Sequence, residues 1–212
     1  MALTFDIHLH TSRYSRDSKL DPEKLVQQAV RTGLDGVVIT EHHHVWNDEE
    51  LQELVTQSDE PGFILLAGFE YTSSQGDILI YVLTLDQCRE FVPGRPPEEA
   101  VQRARDYGAA CVAAHPTRAG LGFDDRISRL DLDALEVASV NLKAHEQRLA
   151  HSLAQALDRP VTASSDAHRL DDVGRYATEF PDIIRTLPEL VAALRGGRFQ
   201  AVPAARHGAA TA

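Results

Sequence analysis

Apolar, β-branched runs alternate with segments of helical periodicity along this chain, and that alternation restricts its fold more than any other feature. Seven runs have the length and composition of strands, at 3–9, 36–40, 63–69, 78–84, 109–114, 135–140 and 161–164. Five segments have the spacing and end signals of helices, at 22–33, 48–57, 97–107, 142–157 and 187–194. In the first of these, Asp21 and Pro22 form a typical helix start and Gly33 a typical helix end.

The repeated order of strand and helix indicates an α/β fold with a largely parallel sheet. Seven strands at this spacing favour a barrel over two separate domains, and no linker rich in proline, glycine or serine divides the sequence. We therefore predict one domain over residues 1–203. Residues 204–212 are mostly small, and we predict that they form a disordered tail.

Composition narrows the classes of protein to consider. The 212 residues carry a formal charge of −11, which does not favour a surface for nucleic-acid backbones, since those recruit an excess of lysine and arginine. A small anionic ligand held by metal ions remains compatible with this charge. Cys88 and Cys111 form neither a CxxC pair nor a disulfide framework, and no secretion signal or membrane-spanning run is present in the sequence. We therefore expect a cytoplasmic protein with no membrane partner.

Five of the predicted strands end in a histidine or an acid. If these strands are parallel, their carboxyl ends meet at one face of the barrel, where barrel enzymes place their chemistry. The residues concerned are His8 and His10, Glu41 and His42, Glu70, His115, and Asp166 and His168.

The spacing of these residues suits a metal site. His8 and His10 are two apart, so their side chains point to the same side of an extended chain, and Asp166 and His168 share that spacing. Imidazole and carboxylate ligands together suit Zn²⁺, Mn²⁺ or Fe²⁺, and several carboxylates among them indicate a multinuclear hydrolytic site. One such pair alone is more often a surface feature, but a surface origin gives no reason for five placements at strand ends.

The remaining histidines have a simpler interpretation. His145 and His151 fall on a predicted helix and His207 falls in the predicted tail, so we expect all three to be solvated.

The motifs DIHLH, TEH, GFE, HP and SDAH, together with Asp17, resemble those of the PHP (polymerase and histidinol phosphatase) family over residues 5–202. The resemblance implies a distorted (β/α)7 barrel, similar to a TIM barrel, with a trinuclear metal centre at the C-terminal ends of the strands and phosphoesterase activity. It implies three groups of ligands: His8, His10, Glu70 and Asp166 for one ion; Glu70 and His115 for a second; and Asp17, His42 and His168 for a third.

One position departs from the family pattern. The family often has a histidine where this sequence reads Gly76-Asp77-Ile78. Asp77 can ligate a metal through oxygen, or it can be a turn residue, which is an ordinary role for aspartate after glycine. We favour ligation.

The residues around His42 carry further expectations. On an extended path His44 points to the same side as His42, so we predict that it lines the mouth of the site or donates to a substrate oxygen. His43 points to the opposite side and is expected to be structural or solvated. We expect Glu41 to orient a ligand histidine. Trp46 has two interpretations, as a wall of the pocket or as a packing residue.

The predicted reaction is hydrolysis of a phosphate ester by a metal-bridging hydroxide, with two or three divalent ions (Zn, Mn or Fe) as cofactors. The predicted catalytic residues are His8, His10, Glu70, His115, Asp166 and His168. Arg118 is the first candidate to bind the phosphate, and Arg175 is the next. Lys143 is a further candidate, but its place on a predicted helix favours a surface role.

The leading substrate class is a small phosphomonoester such as a nucleotide, a sugar phosphate or histidinol phosphate. One alternative is a phosphodiesterase acting on nucleotides or short oligonucleotide ends. A second is a non-catalytic, metal-stabilised module that binds a partner. A third, hydrolysis of C–N bonds, is disfavoured because no lysine stands at a predicted strand end. The sequence indicates no oligomeric state.

Overall fold

The computed structural model describes residues 2–81 and 84–203. The predicted tail, 204–212, lies outside the described residues, as do residues 82 and 83 of the predicted strand 78–84. The strands are β1 (Leu3–Asp6), β2 (Gly36–His42), β3 (Ile64–Thr72), β4 (Asp77–Tyr81), β5 (Ala110–Ala114), β6 (Ala134–Ala138), β7 (Val161–Ala163), β8 (Tyr176–Phe180) and β9 (Gln200–Pro203). The helices are α1 (Pro22–Thr32), α2 (Asp48–Gln57), α3 (Leu85–Cys88), α4 (Pro97–Asp106), α5 (Ala144–Ala156) and α6 (Leu187–Gly196).

Each predicted strand and helix corresponds to one of these elements, and the helix ends follow the signals in the sequence. Asp21 accepts a hydrogen bond from the backbone N–H of Glu23 at the start of α1, and Gly33 ends that helix with a φ of 79°. Asn47 caps α2 and forms a reciprocal pair of hydrogen bonds with Glu50.

The predicted α/β barrel is confirmed, but its sheet is mixed rather than largely parallel. The strands lie in the order β7-β6-β5-β4-β3-β2-β1-β8-β9. Neighbouring strands are parallel in β1–β2, β2–β3, β5–β6 and β6–β7, and antiparallel in β3–β4, β4–β5, β1–β8 and β8–β9. The tight turn between β3 and β4, with Gly76 at a φ of 82°, requires β4 to run back along β3, because parallel neighbours need a long crossover.

Two strands were not predicted. β8 contains Thr178 and Glu179, so it has no continuous apolar run, and β9 has four residues and ends in proline. Both follow β7 in the chain and extend the sheet beyond β1 in antiparallel pairing. The described sheet therefore has nine strands, where seven were predicted.

The sheet is nearly closed into a barrel at the end of β7. Leu9 and Ala167 form a parallel bridge. The backbone N–H of His10 donates to the carbonyl of Ala167 at 3.0 Å, and the N–H of Asp166 donates to the carbonyl of His8 at 2.8 Å. Predicted metal ligands therefore form the junction between the beginning and the end of the barrel.

Alternate side chains of the strands pack on two sides of the sheet. On one side Val38, Leu66 and Leu79 form a buried cluster with Phe5, to which α6 contributes Leu190 and Leu194. On the other side a larger cluster joins the sheet to α1, α2, α4 and α5. Among residues 2–81 and 84–203, no helix has both the length and the apolar character needed to cross a bilayer.

Candidate metal centre

The predicted ligands meet at the C-terminal ends of five strands that point the same way. His8 and His10 follow β1, His42 ends β2, Glu70 lies near the end of β3, His115 follows β5, and Asp166 and His168 follow β7. His8, His10, Glu70, His115 and Asp166 are almost fully buried. The predicted convergence of these side chains is therefore present in the fold.

The carboxylate of Glu70 stands at the centre of the cluster, with four imidazoles around it. Oε1 lies 3.0 Å from His115 Nε2 and 3.6 Å from His8 Nε2. Oε2 lies 3.1 Å from His42 Nδ1 and 3.3 Å from His10 Nε2. The register explains one of these contacts, because His42 on β2 is paired directly with Glu70 on β3. A carboxylate whose two oxygens face different imidazoles has the arrangement needed to bridge two ions.

Asp166, in the segment after β7, contacts two of these histidines and also His168. Its Oδ1 lies 3.4 Å from the Nε2 atoms of both His8 and His10, and 3.7 Å from His168 Nδ1. Asn141, which was not predicted, donates from Nδ2 to Oδ2 of Asp166 at 2.8 Å and to its carbonyl at the same distance. Asn141 therefore fixes the orientation of this carboxylate.

A more exposed group lies at the mouth. Asp17 Oδ2 is 3.3 Å from His42 Nε2 and 3.2 Å from His168 Nε2. The side chain of Asp17 is 57% exposed, while those of His42 and His168 are 33% and 25% exposed. The three residues that the resemblance groups around a third ion are therefore adjacent, in the part of the centre most open to water.

Asp77 lies beside His115, in the buried part of the cluster. It is the first residue of β4 and pairs with Ala114, the residue before His115. Its Oδ2 lies 4.0 Å from His115 Nε2. Burial and the nearby carboxylate of Glu70 raise the pKa of Asp77 to about 6. This position is suitable for a ligand, so ligation by Asp77 remains our interpretation.

The donor atoms fit metal ions. Four overlapping groups of three residues place their potential ligand atoms within 4.8 Å of one another: His8, His10 and Glu70; His8, His115 and Asp166; Glu70, Asp77 and His115; and His10, His42 and His168. The Nε2 atoms of His8 and His10 face each other at 3.1 Å. Buried nitrogens and carboxylate oxygens that converge in this way have the composition of a multinuclear site for borderline divalent ions.

Without metal, the close packing of imidazoles and carboxylates shifts their pKa values. Burial lowers the pKa of His8, but the carboxylates of Glu136, Asp166 and Glu70 outweigh burial and hold that pKa well above its usual value. Burial likewise opposes the charged form of Glu70, yet the surrounding imidazoles hold its pKa well below the usual range. Opposite charges therefore compensate one another in the metal-free cluster.

Two of the buried predicted ligands have backbone conformations that residues other than glycine rarely adopt. His115 has a φ of 30° and Asp166 a φ of 52°. Each stands where a strand turns away from the barrel, and such residues persist where the surrounding structure fixes them, often at functional sites.

A cleft of about 580 Å³ opens over the cluster. Its lining includes the predicted arginines Arg118 and Arg175, and also Lys19 and Arg169, which were not predicted. Arg118 is the cation closest to the buried carboxylates, with Nη1 3.8 Å from Asp166 Oδ2. Arg175 is bound at the rim, where its Nε donates to the carbonyl of Asp171 at 3.1 Å.

The structure places His44 elsewhere. Its ring stacks on Tyr14 with centroids 3.7 Å apart, and it is not among the residues lining the cleft over the cluster. The expected position of His44 at the mouth is therefore wrong, because the chain turns at His43, which has a φ of 53°, and does not continue as an extended strand. The ring of His43 packs edge-on against Tyr71, in agreement with a structural role.

Glu41 does not contact a predicted ligand histidine, and of the two interpretations of Trp46 the structure supports packing. Glu41 is fully buried, and its carboxylate accepts hydrogen bonds from Thr11, from Ser15 and from the indole of Trp46 at 2.9 Å. Glu41 therefore contacts no ligand imidazole directly; it fixes the segment after His10, in which Ser15 Oγ lies 3.4 Å from His10 Nδ1. Trp46 is buried as a packing residue and does not wall the cleft.

The histidines that were expected to be solvated are exposed wherever the structure describes them. His145 and His151 are exposed on α5, and His207 lies outside the described residues. Lys143 precedes α5 and is not among the residues that line the cleft.

Most of the chain is similar in sequence to known protein families. Residues 6–135 match the family model of the PHP domain, and residues 144–199 match a model described as PHP-associated. An uncharacterized protein from Methanocaldococcus jannaschii is 30% identical over 143 residues, which cover 62% of this chain and 79% of that protein.

Two solved structures share the fold at low sequence identity. PsfC from Pseudomonas syringae is 20% identical, with a TM-score of 0.73 over 97% of this chain and 93% of that one. A lesion-specific endonuclease from Pyrococcus furiosus, EndoQ, is 19% identical, with a TM-score of 0.65 over 95% of this chain and 58% of that one. This chain therefore matches little more than half of the endonuclease.

Proposed function

Because the chain belongs to the PHP domain family, we propose that it is a metal-dependent phosphoesterase that hydrolyses a small phosphomonoester. The observation that carries the proposal is the carboxylate of Glu70, which has four imidazole rings within 3.6 Å. A single buried acid with this surrounding suits a bridge between two cations, and paired cations are a recurrent device for hydrolysing phosphate esters.

The residues present fit two or three divalent ions of the Zn, Mn or Fe type. His8, His10, Glu70 and Asp166 would hold one ion, Glu70, His115 and Asp77 a second, and Asp17, His42 and His168 a third. When bound, such ions supply a nucleophile near neutral pH and neutralise phosphate oxygens. The buried groups would hold their ions firmly, while the exposed group at Asp17 would exchange its ion more readily.

The cleft residues would bind and orient the phosphate. Arg118 extends from the loop after β5 and offers a planar pair of N–H donors that match two phosphate oxygens. Its partial burial, with a side chain 32% exposed, strengthens that interaction relative to a fully solvated arginine. Lys19, Arg169 and Arg175 line the same cleft and would contact the more distant parts of the substrate.

A phosphodiester is the second candidate substrate. Two observations support it: lysine and arginine side chains reach the cleft from three separate loops, and a lesion-specific endonuclease shares the fold. The formal charge of −11 disfavours extended contact with a nucleic-acid duplex, so a nucleotide or a short oligonucleotide end is the form of diester that suits this chain.

The experiment that tests the proposal combines metal analysis with turnover. The protein is stripped with a chelator, reloaded separately with Mn²⁺, Zn²⁺ or Fe²⁺ and analysed for metal content. Phosphate release is then measured from a panel of nucleotides, sugar phosphates and histidinol phosphate, and p-nitrophenol release from bis(p-nitrophenyl) phosphate. We expect metal-dependent turnover of monoesters above that of the diester.

Two other outcomes would change the conclusion. Faster turnover of the diester would favour the phosphodiesterase alternative. Metal-loaded protein that is inert toward the whole panel would contradict an enzymatic role and would favour a metal-stabilised binding module.

A further inference from the structure

Glu136 lies inside the barrel wall, on a strand that supplies no predicted ligand. It is the third residue of β6, between the apolar residues Leu135 and Val137, and it is fully buried. A buried carboxylate on an otherwise apolar strand needs partners that compensate its desolvation. Its two oxygens have partners just after two different strands: the ring of His8, after β1, and the backbone of His115, after β5.

The first partner is the ring of His8. Glu136 Oε1 lies 3.0 Å from His8 Nδ1, and a carboxylate oxygen can accept but not donate. The proton of the neutral ring is therefore held on Nδ1, and the lone pair on Nε2 faces Asp166 at 3.4 Å and Glu70 at 3.6 Å. This is the tautomer that can ligate a metal at the centre of the cluster.

The second partner is the backbone of His115. Glu136 Oε2 accepts the N–H of His115 at 2.9 Å. His115 is the residue with a φ of 30°, at the turn that follows β5, and its N–H is buried. The hydrogen bond therefore stabilises an unfavourable backbone conformation, and that conformation places His115 Nε2 at 3.0 Å from Glu70 Oε1.

We propose that Glu136 is a positioning residue that holds both His8 and His115 against the Oε1 atom of Glu70 through one carboxylate. It fixes the tautomer of one ring and the backbone from which the other extends. The inference rests on the proposed metal site, because positioning has a measurable consequence only if these imidazoles hold metal.

The chain contains a matched carboxylate for comparison. Asp133, just before β6, accepts the backbone N–H of Cys111 on β5 at 2.7 Å and also pairs with Arg105 at 2.8 Å. Like Glu136, it joins the β6 region to the backbone of β5. Its partners are not ligands, so Asp133→Asn is expected to affect stability without affecting metal binding.

The test measures affinity for Zn²⁺ alone by competition with a chromophoric chelator. The proteins compared are the wild type, Glu136→Gln, Glu136→Asp and Asp133→Asn, each checked for folding by circular dichroism. Glutamine keeps the shape of Glu136, but its amide can accept from one partner only and presents an N–H to the other. We expect Glu136→Gln to weaken Zn²⁺ binding by about 10–100-fold, as loss of a ligand's hydrogen-bond partner typically does, and Asp133→Asn to leave it unchanged.

A second readout separates positioning from general destabilisation. In Zn²⁺-loaded protein, an Nδ1 proton bonded to a carboxylate resonates far downfield and exchanges slowly with water. We expect this His8 signal in the wild type and in Asp133→Asn, and its loss or upfield shift in Glu136→Gln. If Glu136→Gln does not fold, Glu136→Asp carries the test, because its shorter carboxylate cannot reach both partners and should also weaken binding.

Three results would overturn the positioning role of Glu136. A folded Glu136 variant with wild-type Zn²⁺ affinity and an unchanged His8 signal would overturn the positioning role while leaving the metal site intact. Equal weakening in Asp133→Asn would also overturn it, since the effect would then follow stability. Wild-type protein that binds no Zn²⁺ would overturn this inference, and the proposed function would fall as well if Mn²⁺ and Fe²⁺ were also not bound.

Discussion

The metal-stripped protein should become less stable as the pH is raised from 6.5 to 9, and His10 gives the size of the effect. Burial lowers the pKa of His10, but contacts with Asp166 and Glu70 outweigh it and raise that pKa from 6.5 to about 9. Between these values the folded chain binds more protons than the unfolded chain. Linkage then requires the free energy of unfolding to fall as the pH rises through this window.

The magnitude follows from the two pKa values of this fully buried group. At about 1.4 kcal/mol per pH unit, His10 alone accounts for roughly 3 kcal/mol between pH 6.5 and 9. In a domain of this size, that change corresponds to a fall in Tm of about 6–12 °C. Below about pH 4.5 the loss has another source, since the lowered pKa of Glu70 makes protonation of its carboxylate destabilising.

Bound metal should offset this loss of stability on the alkaline side. Ligand imidazoles must be neutral to bind a cation, so metal binding becomes stronger as the pH rises. Binding at 100 times Kd adds about 2.7 kcal/mol of stability, which is comparable with the loss in the stripped protein. We therefore expect the Tm values of stripped and Zn²⁺-loaded protein to diverge from pH 6.5 to 9.

The assay is thermal unfolding by circular dichroism of stripped protein, with and without excess Zn²⁺, in a series of buffers at constant ionic strength. His10→Gln should flatten the pH dependence of the stripped protein. His151→Gln, which changes an exposed histidine on α5, should leave that dependence unaltered. A Tm of the stripped wild type that stays level or rises from pH 6.5 to 9 would refute the reasoning.

Three further predictions concern catalysis. His115→Ala should lower phosphate release by ~100-fold or more with a nearly unchanged far-UV spectrum, because it removes a buried ligand; a near-wild-type rate would exclude His115 from the site. Arg118→Ala should raise KM by roughly 10–100-fold and weaken inhibition by product phosphate, since charge-assisted hydrogen bonds are lost; unchanged steady-state kinetics would contradict the binding role. Gly122→Ala would place a Cβ 2.5 Å from the carbonyl oxygen of Pro116 and displace the loop that carries Arg118, so KM should rise. Gly62→Ala, whose Cβ would meet open space, should leave KM unaltered. Equal kinetics of the two glycine variants would show that the loop tolerates the change.

The sequence was informative about the cluster because strand ends and residue spacing determine where ligand side chains point. His8 and His10 follow one strand two residues apart, and their ring nitrogens face the same centre, as that spacing predicts. The rule failed at His44, where the left-handed turn at His43 ends the alternation of side chains. Local periodicity predicts side-chain direction only while the backbone stays regular.

Residues that act through other residues were harder to identify. Glu136 follows a leucine within a short apolar strand, and in sequence it resembles an ordinary acid on the solvent face of a sheet. Its burial follows from the position of β6 between β5 and β7, which is a property of the whole sheet. Asn141 is likewise recognisable only when the loop after β6 is seen beside Asp166.

Closure of the barrel and assembly of the cluster use the same groups. The two hydrogen bonds that join the segment after β1 to the segment after β7 are formed by the backbones of His8, His10, Asp166 and its neighbour Ala167. Asp166 adopts its left-handed conformation at this junction, at a cost of about 1–3 kcal/mol that the surrounding contacts must offset. A glycine there would relieve the strain but would remove the carboxylate that faces His8 and His10. The carboxylate of Asp166 can therefore be held in place only while the barrel is closed. A cation bound to Asp166, His8 and His10 would in turn stabilise the closed junction, because it would bind the folded chain in preference to the unfolded one.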